Sequence, residues 1–482
     1  MTLSYIPSDT NDEGILKATA SGILPNGKPV IVNADGTVSV IAQQSSSAGD
    51  IQTFSTGSIG RNAVVHDTVN NKILIAYSES TGLAVVGTVD ASAKTISFGS
   101  PVQFDSGAVD QLAIGFDPVA EKCLISYRDA NNSNYGTAIV ATISGTSVSF
   151  GTPAVFLSDT TTRNSIAYDA GAGKFLLAHV NQGDGYDGTS RVATISGTNV
   201  SFGTAVIFCT SHTKFLNAVY DPDQAKVGLF YRTNSNNQGV YRIGTISGTN
   251  VSYSSETAFK ATTVNSASAT YDTTNNKFVV AYSYGGGNVG YVNSGTSNGS
   301  SITFGTEAQI TSGEVSILEG DTVFDESQGK GLVMFRNVGG ASGALSVAPV
   351  DTSGSTPSFD ALYALGIGAT DESSAAYDST NSRAIFIANN NASTNNGDAK
   401  VWATTPTNLT VENYIGISTG GTYASGSSAT VKIIGNTSND QSSLTAGQSY
   451  FVQIDGTIGT TAADPSVFAG TAISATKLIV KT

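Results

Sequence analysis

Three observations predict an all-β chain. Val, Ile, Thr, Tyr and Phe are set among 53 Gly and many Asn and Ser, the composition of short strands joined by tight turns. No long stretch carries apolar residues at helical spacing. The chain also repeats itself: "ATISGTSVSFGT" at 141–152 returns as "ATISGTNVSFGT" at 193–204. Hydrophobic residues reach 39%, so the low charged fraction of 12% is not the signature of disorder.

The repeat is longer than the quoted stretch. An aromatic residue or His is followed by Asp, four free residues, a basic residue and an apolar run. The aspartates are Asp67, Asp117, Asp169, Asp221, Asp272, Asp325 and Asp378, spaced 50 to 53 residues apart. Five residues after each stand Lys72, Lys122, Lys174, Lys226, Lys277, Lys330 and Arg383. A second aromatic or His follows five further on in six repeats, and repeat seven has Ala388 there. Each unit reads as strand A ("SIAYD"), strand B ("KFLLAHV"), strand C ("SRVATIS") and strand D ("NVSFGTAVIF"). A period near 50 with four strands per unit predicts a seven-bladed β-propeller. The quoted stretch is then the C–D hairpin, with Gly145 and Gly197 taking the positive φ of its turn.

Repeat seven has no strand D after Thr405. Residues 50–67, "DIQTFSTGSIGRNAVVHD", match the D-to-A text at 101–117. Residues 50–55 are therefore expected to supply the outer strand of the last blade and remove the free edge. The propeller is placed at 46–405. The flanks, 1–45 and 406–482, read as all-β without the repeat pattern, with turns at Ala34-Asp35-Gly36, Ala446-Gly447 and Asp455-Gly456. The simplest account is one small split β-barrel or sandwich with the propeller inserted between its halves. Both crossings then lie on the face of the A–B and C–D loops. The B–C and D–A loops, which vary most between repeats, form the face available for recognition.

Net charge is −14, and no Lys/Arg cluster marks a nucleic-acid face. The opening "MTLSYIPSDTNDEG" has no signal-peptide character, and no apolar run reaches the roughly 18 residues of a membrane helix. Cys123 and Cys209 lie in apolar strand text and read as reduced core thiols.

The seven aspartates are expected to bond turn N–H groups and to pair with the basic residue across the A–B hairpin. One carboxylate per repeat is too few for a Ca²⁺ site, so no metal or cofactor is expected. Arg128, Arg232 and Arg336 follow strand B in repeats two, four and six and are candidates to contact acidic sugars. Tyr135, Tyr186 and Tyr284, among many Asn, are candidates for glycan stacking. His66 and His179 stand where other repeats have Tyr or Phe and read as core residues. His212 lies in a D–A loop without an evident partner. "SYGGGNVGY" at 283–291 lacks the spacing and the Lys of a phosphate loop and reads as a hairpin. There is one Trp, Trp402, and no S-x-D-x-G-x-x-W box of the sialidase type. No acid pair can be placed, so the chain is read as non-enzymatic.

The flanks "ILKATASGILPNGKPVIVNADGTVSV" and "LTAGQSYFVQIDGTIGTTAADPSVFAGTAISATKLIVK" resemble the split β-domain of virion structural proteins of tailed phages, marine and cyanobacterial fibre-like proteins in particular. The "YRDANNSNYGTAIVATISGTSVSFGT" repeats are similar to those found between such flanks. The resemblance implies a structural tail-fibre, spike or capsid-decoration role in the virion. Because both crossings lie on one face, other virion proteins are expected at 1–45 and 406–482, with self-association through the same unit and a trimer as the first form. The loops bearing Tyr135, Tyr186 and Tyr284 would hold a host-surface glycan by stacking. The resemblance carries no catalytic residues; charge and the lengths of the apolar runs already read against nucleic-acid binding and membrane insertion. A secreted bacterial lectin or adhesin is the rival reading, and a glycan hydrolase the third.

Overall fold

Strand B of each repeat is almost continuously apolar, and the fold follows from that. The computed structural model describes residues 14–42, 45–318, 320–338, 343–368, 372–405, 408–463 and 465–481. Among them there is no α-helix. Antiparallel sheets are interrupted by two 3-10 turns, Ala130–Asn132 and Asn391–Ser393. The chain divides into two compact units, Ser47–Ala403 and Met1–Ser46 with Thr404–Thr482.

In the larger unit each repeat is an antiparallel A-B-C-D sheet. Strand A is Asn62–Asp67 in repeat one, Val109–Asp117 in repeat two, Thr213–Asp221 in repeat four, Thr322–Asp325 in repeat six and Ser373–Asp378 in repeat seven. In repeats three and five it is the end of a long strand, Ala154–Asp169 and Thr257–Asp272, that begins as strand D of the preceding repeat. Strand B runs from the basic residue: Lys72–Ser78, Lys122–Asp129, Lys174–Asn181, Lys226–Thr233, Lys277–Tyr284, Lys330–Asn337 and Arg383–Asn390.

Strand B is buried on both faces, and alternate residues point to opposite sides. Leu74 and Ala76 pack with Ile125 and Tyr127 of repeat two, while Ile73, Ile75 and Tyr77 pack with Ile385 and Ile387 of repeat seven. The same division recurs along the chain. Apolar clusters join repeats two and three, three and four, four and five, five and six, and six and seven. Each sheet thus covers a face of the next, and one cluster joins the last repeat to the first.

Strand D departs from the single strand expected. In repeat three it is Asn199–Phe202 and then Val206–Cys209, both paired with strand C, Asp187–Ser196. The break falls at Gly203. A Cβ placed there would lie 1.8 Å from the carbonyl oxygen of Thr249, in the C–D turn of the next repeat. Gly99 meets Thr146, Gly151 meets Thr198 and Gly305 meets Ser355 in the same way. The glycine of "SFGT" is where one repeat's backbone touches the next.

The first and last repeats meet through the N-terminal text. Gln52–Ser55 pairs antiparallel with Asn396–Thr405, strand C of repeat seven, with Ala399 opposite Gln52. Ser45–Ala48 lies on that same strand, so the pairing starts before residue 50. A Cβ on Gly49 would lie 1.8 Å from the Lys94 carbonyl of repeat one, the same contact again. Phe54 is 6% exposed and packs edge-on to Tyr77 and Phe98.

The smaller unit holds two five-stranded antiparallel sheets. One is built from both flanks: Ile15–Thr19 pairs with Ser428–Lys432, and Pro29–Val32 with Tyr414–Thr419. The other comes from residues 437–480 alone. Ile31, Tyr414 and Ile417 of the first share a core with Tyr450, Val452 and Leu478 of the second. The closed barrel among the expected forms is not present in the described residues. The edges of the first sheet touch only where Ala20 bridges Val38, and one bridge is not a ladder.

Gly203→Ala is expected to cost about 1–3 kcal/mol in urea unfolding, because the methyl meets backbone that cannot turn aside. Gly286→Ala, where nothing lies within 4 Å, is expected to be nearly neutral. Phe54→Ala should cost about 3–5 kcal/mol, because Phe54 is buried at the seam between repeats one and seven. A change under about 1 kcal/mol there would show that the seam between repeats one and seven contributes little to stability.

Candidate functional site

Strand A of every repeat faces one cavity. A part of about 210 Å³ is lined by residues of all seven, among them Asn62, Leu112, Asn164, Asn217, Thr322 and Ser374. A wider part of about 480 Å³ is rimmed by His66, Tyr168, Tyr220, Tyr271, Phe324 and Tyr377, each the residue before a repeat aspartate. Strands A are also laced side to side. The Ala218 N–H donates to Ser165 Oγ at 2.9 Å, and Asn217 Nδ2 to the Ala267 carbonyl at 3.2 Å. The Thr322 N–H donates to Ser268 Oγ at 3.1 Å, and Ser373 Oγ to Asp321 Oδ1 at 2.7 Å. Ser374 Oγ donates to Asn62 Oδ1 at 2.8 Å and joins repeat seven to repeat one.

The repeat aspartates sit at the A–B turns, buried. Asp67, Asp117, Asp221 and Asp272 each accept two backbone N–H bonds through Oδ1, from the second and third residues onward. Asp169, Asp325 and Asp378 each accept one. The expected pairing with the basic residue is corrected. The two are opposite in register, but among the described residues no repeat aspartate pairs with its basic residue; Lys122 donates to the Glu121 carbonyl at 3.4 Å, and others reach across the sheet or to the next repeat. Lys72 reaches Thr88 Oγ1 at 3.0 Å, Lys174 reaches Thr194 Oγ1 at 3.0 Å, and Lys330 pairs with Asp360 at 2.5 Å. Arg383 donates to the Ala91 carbonyl of repeat one.

The aspartate is met instead by the aromatic of the following repeat. The Tyr377 hydroxyl donates to Asp325 Oδ1 at 3.0 Å and accepts from the Ser327 N–H at 3.1 Å. The Tyr220 hydroxyl accepts from the Gly171 N–H in the Asp169 turn at 3.1 Å. Burial, then the carboxylate of Asp117, raises the Tyr168 phenol, and burial, then Asp221, raises that of Tyr271. His66, where other repeats have Tyr or Phe, places Nε2 3.2 Å from Asp378 Oδ1 across the seam. His179 is fully buried, and burial followed by the Arg191 charge pushes its pKa down to about 3. Cys123 and Cys209 are buried free thiols.

The other end of the cavity carries a network that sequence reasoning missed. Arg61 donates to Asp110 Oδ1 at 3.0 Å and pairs with Glu372 at 2.5 Å, while Arg128 pairs with the second oxygen of Asp110. Repeats seven, one and two are thereby tied. Burial works to raise the pKa of Asp110, but Arg61, Arg128 and the Gln111 N–H outweigh it and hold the carboxyl below its ordinary value. Arg61, Gln111, Arg163, Phe215 and Glu372 stand six residues before the repeat aspartate. Three of them, Gln111, Arg163 and Phe215, have positive φ of 54°, 54° and 52°. Extending the repeat alignment back by six residues would have found this position.

The six residues singled out for recognition do not form one group. Arg128 is held by Asp110. Arg232 donates to the Val264 carbonyl at 2.9 Å and lies over the Phe215 ring at 5.3 Å. Arg336 pairs in register with Ser316 and Leu345. Tyr135 opens strand C of repeat two, half-buried. Tyr186 stacks on His212 with centroids 4.2 Å apart, and this supplies the partner His212 lacked in the sequence. Tyr284 is not a free loop tyrosine. Its hydroxyl donates to Glu307 at 2.9 Å, the Lys260 ammonium sits 3.6 Å over its ring, and Tyr291 packs 4.6 Å away. Lys260 and Glu307 pair at 2.7 Å, so Tyr284 belongs to a satisfied cluster.

Among the described residues no group of three or more His, Cys, Asp or Glu is placed to hold a metal ion. No helix among them is long and apolar enough to cross a membrane. No protein-family model matches the chain, and no curated protein matches it.

Asp110→Asn is expected to lower stability at pH 7 by about 1 kcal/mol, the scale of a half-exposed ion-pair network. The native carboxyl has a depressed pKa, so its contribution is present above the ordinary carboxylate range and is lost as pH falls through the native value. The gap between variant and parent in thermal melts should therefore close in strong acid. A gap independent of pH would show that the charge of Asp110 is not what ties the three repeats.

Proposed function

We propose that the chain is a seven-bladed β-propeller carried on a small split β-domain, and that it serves as a non-enzymatic structural protein of a tailed-phage particle. In this reading each repeat is a blade, and residues 45–55 complete the last one. The observation that carries the architecture is the run of seven shared cores, one of which joins repeat seven to repeat one. A sheet buried on both faces by its neighbours can stop only by closing on itself or by capping.

The role follows from the constant frame and its variable loops. The A–B and C–D turns are alike from repeat to repeat, whereas the B–C loops differ in all seven. Variable loops on a rigid frame suit recognition of an outside partner. The flanks resemble phage virion domains in sequence, and their strands pair with each other in one unit. The flanking unit attaches the chain to other virion proteins and to further copies of itself, with a trimer as the first form. The propeller meets the host surface, with a glycan as the contact. The place on the particle is a tail fibre, a spike or a capsid decoration.

Antibody raised against the purified chain, gold-labelled and imaged on intact particles of the phage that encodes it, is expected to decorate the particle at regular positions. Unlabelled particles, with the chain recovered only from the medium of uninfected bacteria, would favour the secreted-lectin reading.

A further inference from the structure

In repeat two, Asp110 lies directly across the A–B hairpin from Arg128, and the two form an ion pair. Repeat four carries the same two positions, seven residues before the aspartate and six after the basic residue, as Lys214 and Arg232. They face each other in the same register. Like charges directly opposite on neighbouring strands are destabilising. Arg163 adds a third cation: its guanidinium lies 5.4 Å from the centre of the Phe215 ring, and that of Arg232 lies 5.3 Å from the same ring. Beside them is the Tyr186–His212 stack, held to the same strand by the Thr213 N–H donating to the Tyr186 carbonyl at 3.2 Å.

This gathering is unusual in a chain of net charge −14. Burial, then Arg232 and Arg163, lowers the pKa of Lys214. Burial, then Lys214, Arg163 and Arg232, lowers that of His212. Burial and then Arg163 lowers that of Arg232. Every charged group that shifts these three is itself a cation. Arg232 Nε is buried without a hydrogen-bond partner among the described residues. Of the other half-buried cations, Arg61, Arg128, Lys260 and Lys330 each hold a carboxylate, and Lys72, Lys174 and Arg383 are met by hydroxyl or carbonyl oxygens.

We infer that Lys214 and Arg232, with Tyr186 and His212 beside them, form a binding site for an acidic saccharide. Guanidinium and ammonium groups take a carboxylate or sulfate through charge-assisted hydrogen bonds, and an aromatic face takes the sugar ring. A nucleic acid is disfavoured, because a polyanion with long contacts would be repelled by the rest of this acidic surface. The inference rests on the reading that the variable loops contact a host glycan, and it assigns that contact a charge and a place.

Calorimetric titration of the purified full chain with an oligogalacturonate, a sulfated dextran oligomer, a neutral dextran oligomer and a single-stranded DNA oligonucleotide tests it. At least one acidic oligomer should bind, weakening with added salt, and the neutral one should not. The acidic oligomer that binds more tightly tells carboxylate from sulfate recognition. Lys214→Asp recreates the opposition seen at Asp110 and Arg128, so it should melt no lower than the parent while binding about tenfold more weakly or worse. Tyr186→Ala should weaken binding with little change in melting. Equal binding of acidic and neutral oligomers, parent-like binding by Lys214→Asp, or tighter binding of the DNA would overturn the site. Acidic-sugar binding by a chain that never labels particles would overturn the virion reading alone. Labelled particles with no such binding would overturn this site alone.

Discussion

Burial of strand B on both faces is the constraint on which the larger unit depends. A sheet whose central strand reads KFLLAHV cannot leave either side to water. Each repeat therefore needs two neighbours, and no repeat forms a complete core alone. That need sets the close spacing, and the close spacing selects glycine at the point where a D strand crosses the next repeat's C–D turn. The SFGT text recurs because a contact between repeats recurs. Repeat four has Ser254 in place of that glycine, and the Ser254 hydroxyl accepts the Ile243 N–H at 2.9 Å within its own sheet.

Polar groups follow the same geometry. Strands A converge on the cavity, and their backbones and short side chains meet across the gaps between sheets. Ser165, Ser268, Asn217 and Ser374 are small enough to bridge those gaps by a single hydrogen bond. A buried hydroxyl or amide left unbonded would cost more than the bond contributes, so these positions are constrained as strongly as the apolar ones. The repeat aspartate ties its own turn, and the aromatic of the following repeat packs against that turn.

Function, in the proposed reading, occupies what this frame leaves undetermined. The turns that carry aspartate cannot vary without loss of their N–H acceptors, whereas the B–C and D–A segments satisfy no shared requirement. There the chain places the Arg61–Asp110–Glu372 network and the cations of repeat four, while the Lys260–Glu307–Tyr284 cluster lies along strands D and at the end of strand B. Two of these three are electrically satisfied by their own neighbours. The third departs from the pattern, and that departure makes it a candidate for a ligand.

Much of the all-β organisation was legible in the sequence, and the site much less so. Strand text, turn glycines such as Gly145 and Gly197, and the seven A–B hairpins are local features, governed by propensity and by hydrogen bonds within a few residues. Contacts set by distant parts of the chain were not legible in this way. The basic residue after each aspartate is opposite in register, yet in several repeats its long side chain reaches another strand or the next repeat instead. Tyr284 looked like an exposed loop aromatic because Glu307 and Lys260, which engage it, are more than 20 residues away in sequence. The flanks read as barrel or sandwich text, and only the pairing of strands separated by the whole larger unit decided that the first sheet stays open. The sequence by itself determined the repeats, their strands and their turns, because those depend on neighbouring residues. The tertiary structure decided which charges are answered and which are left facing one another, because that depends on register between strands and on the repeat that packs alongside.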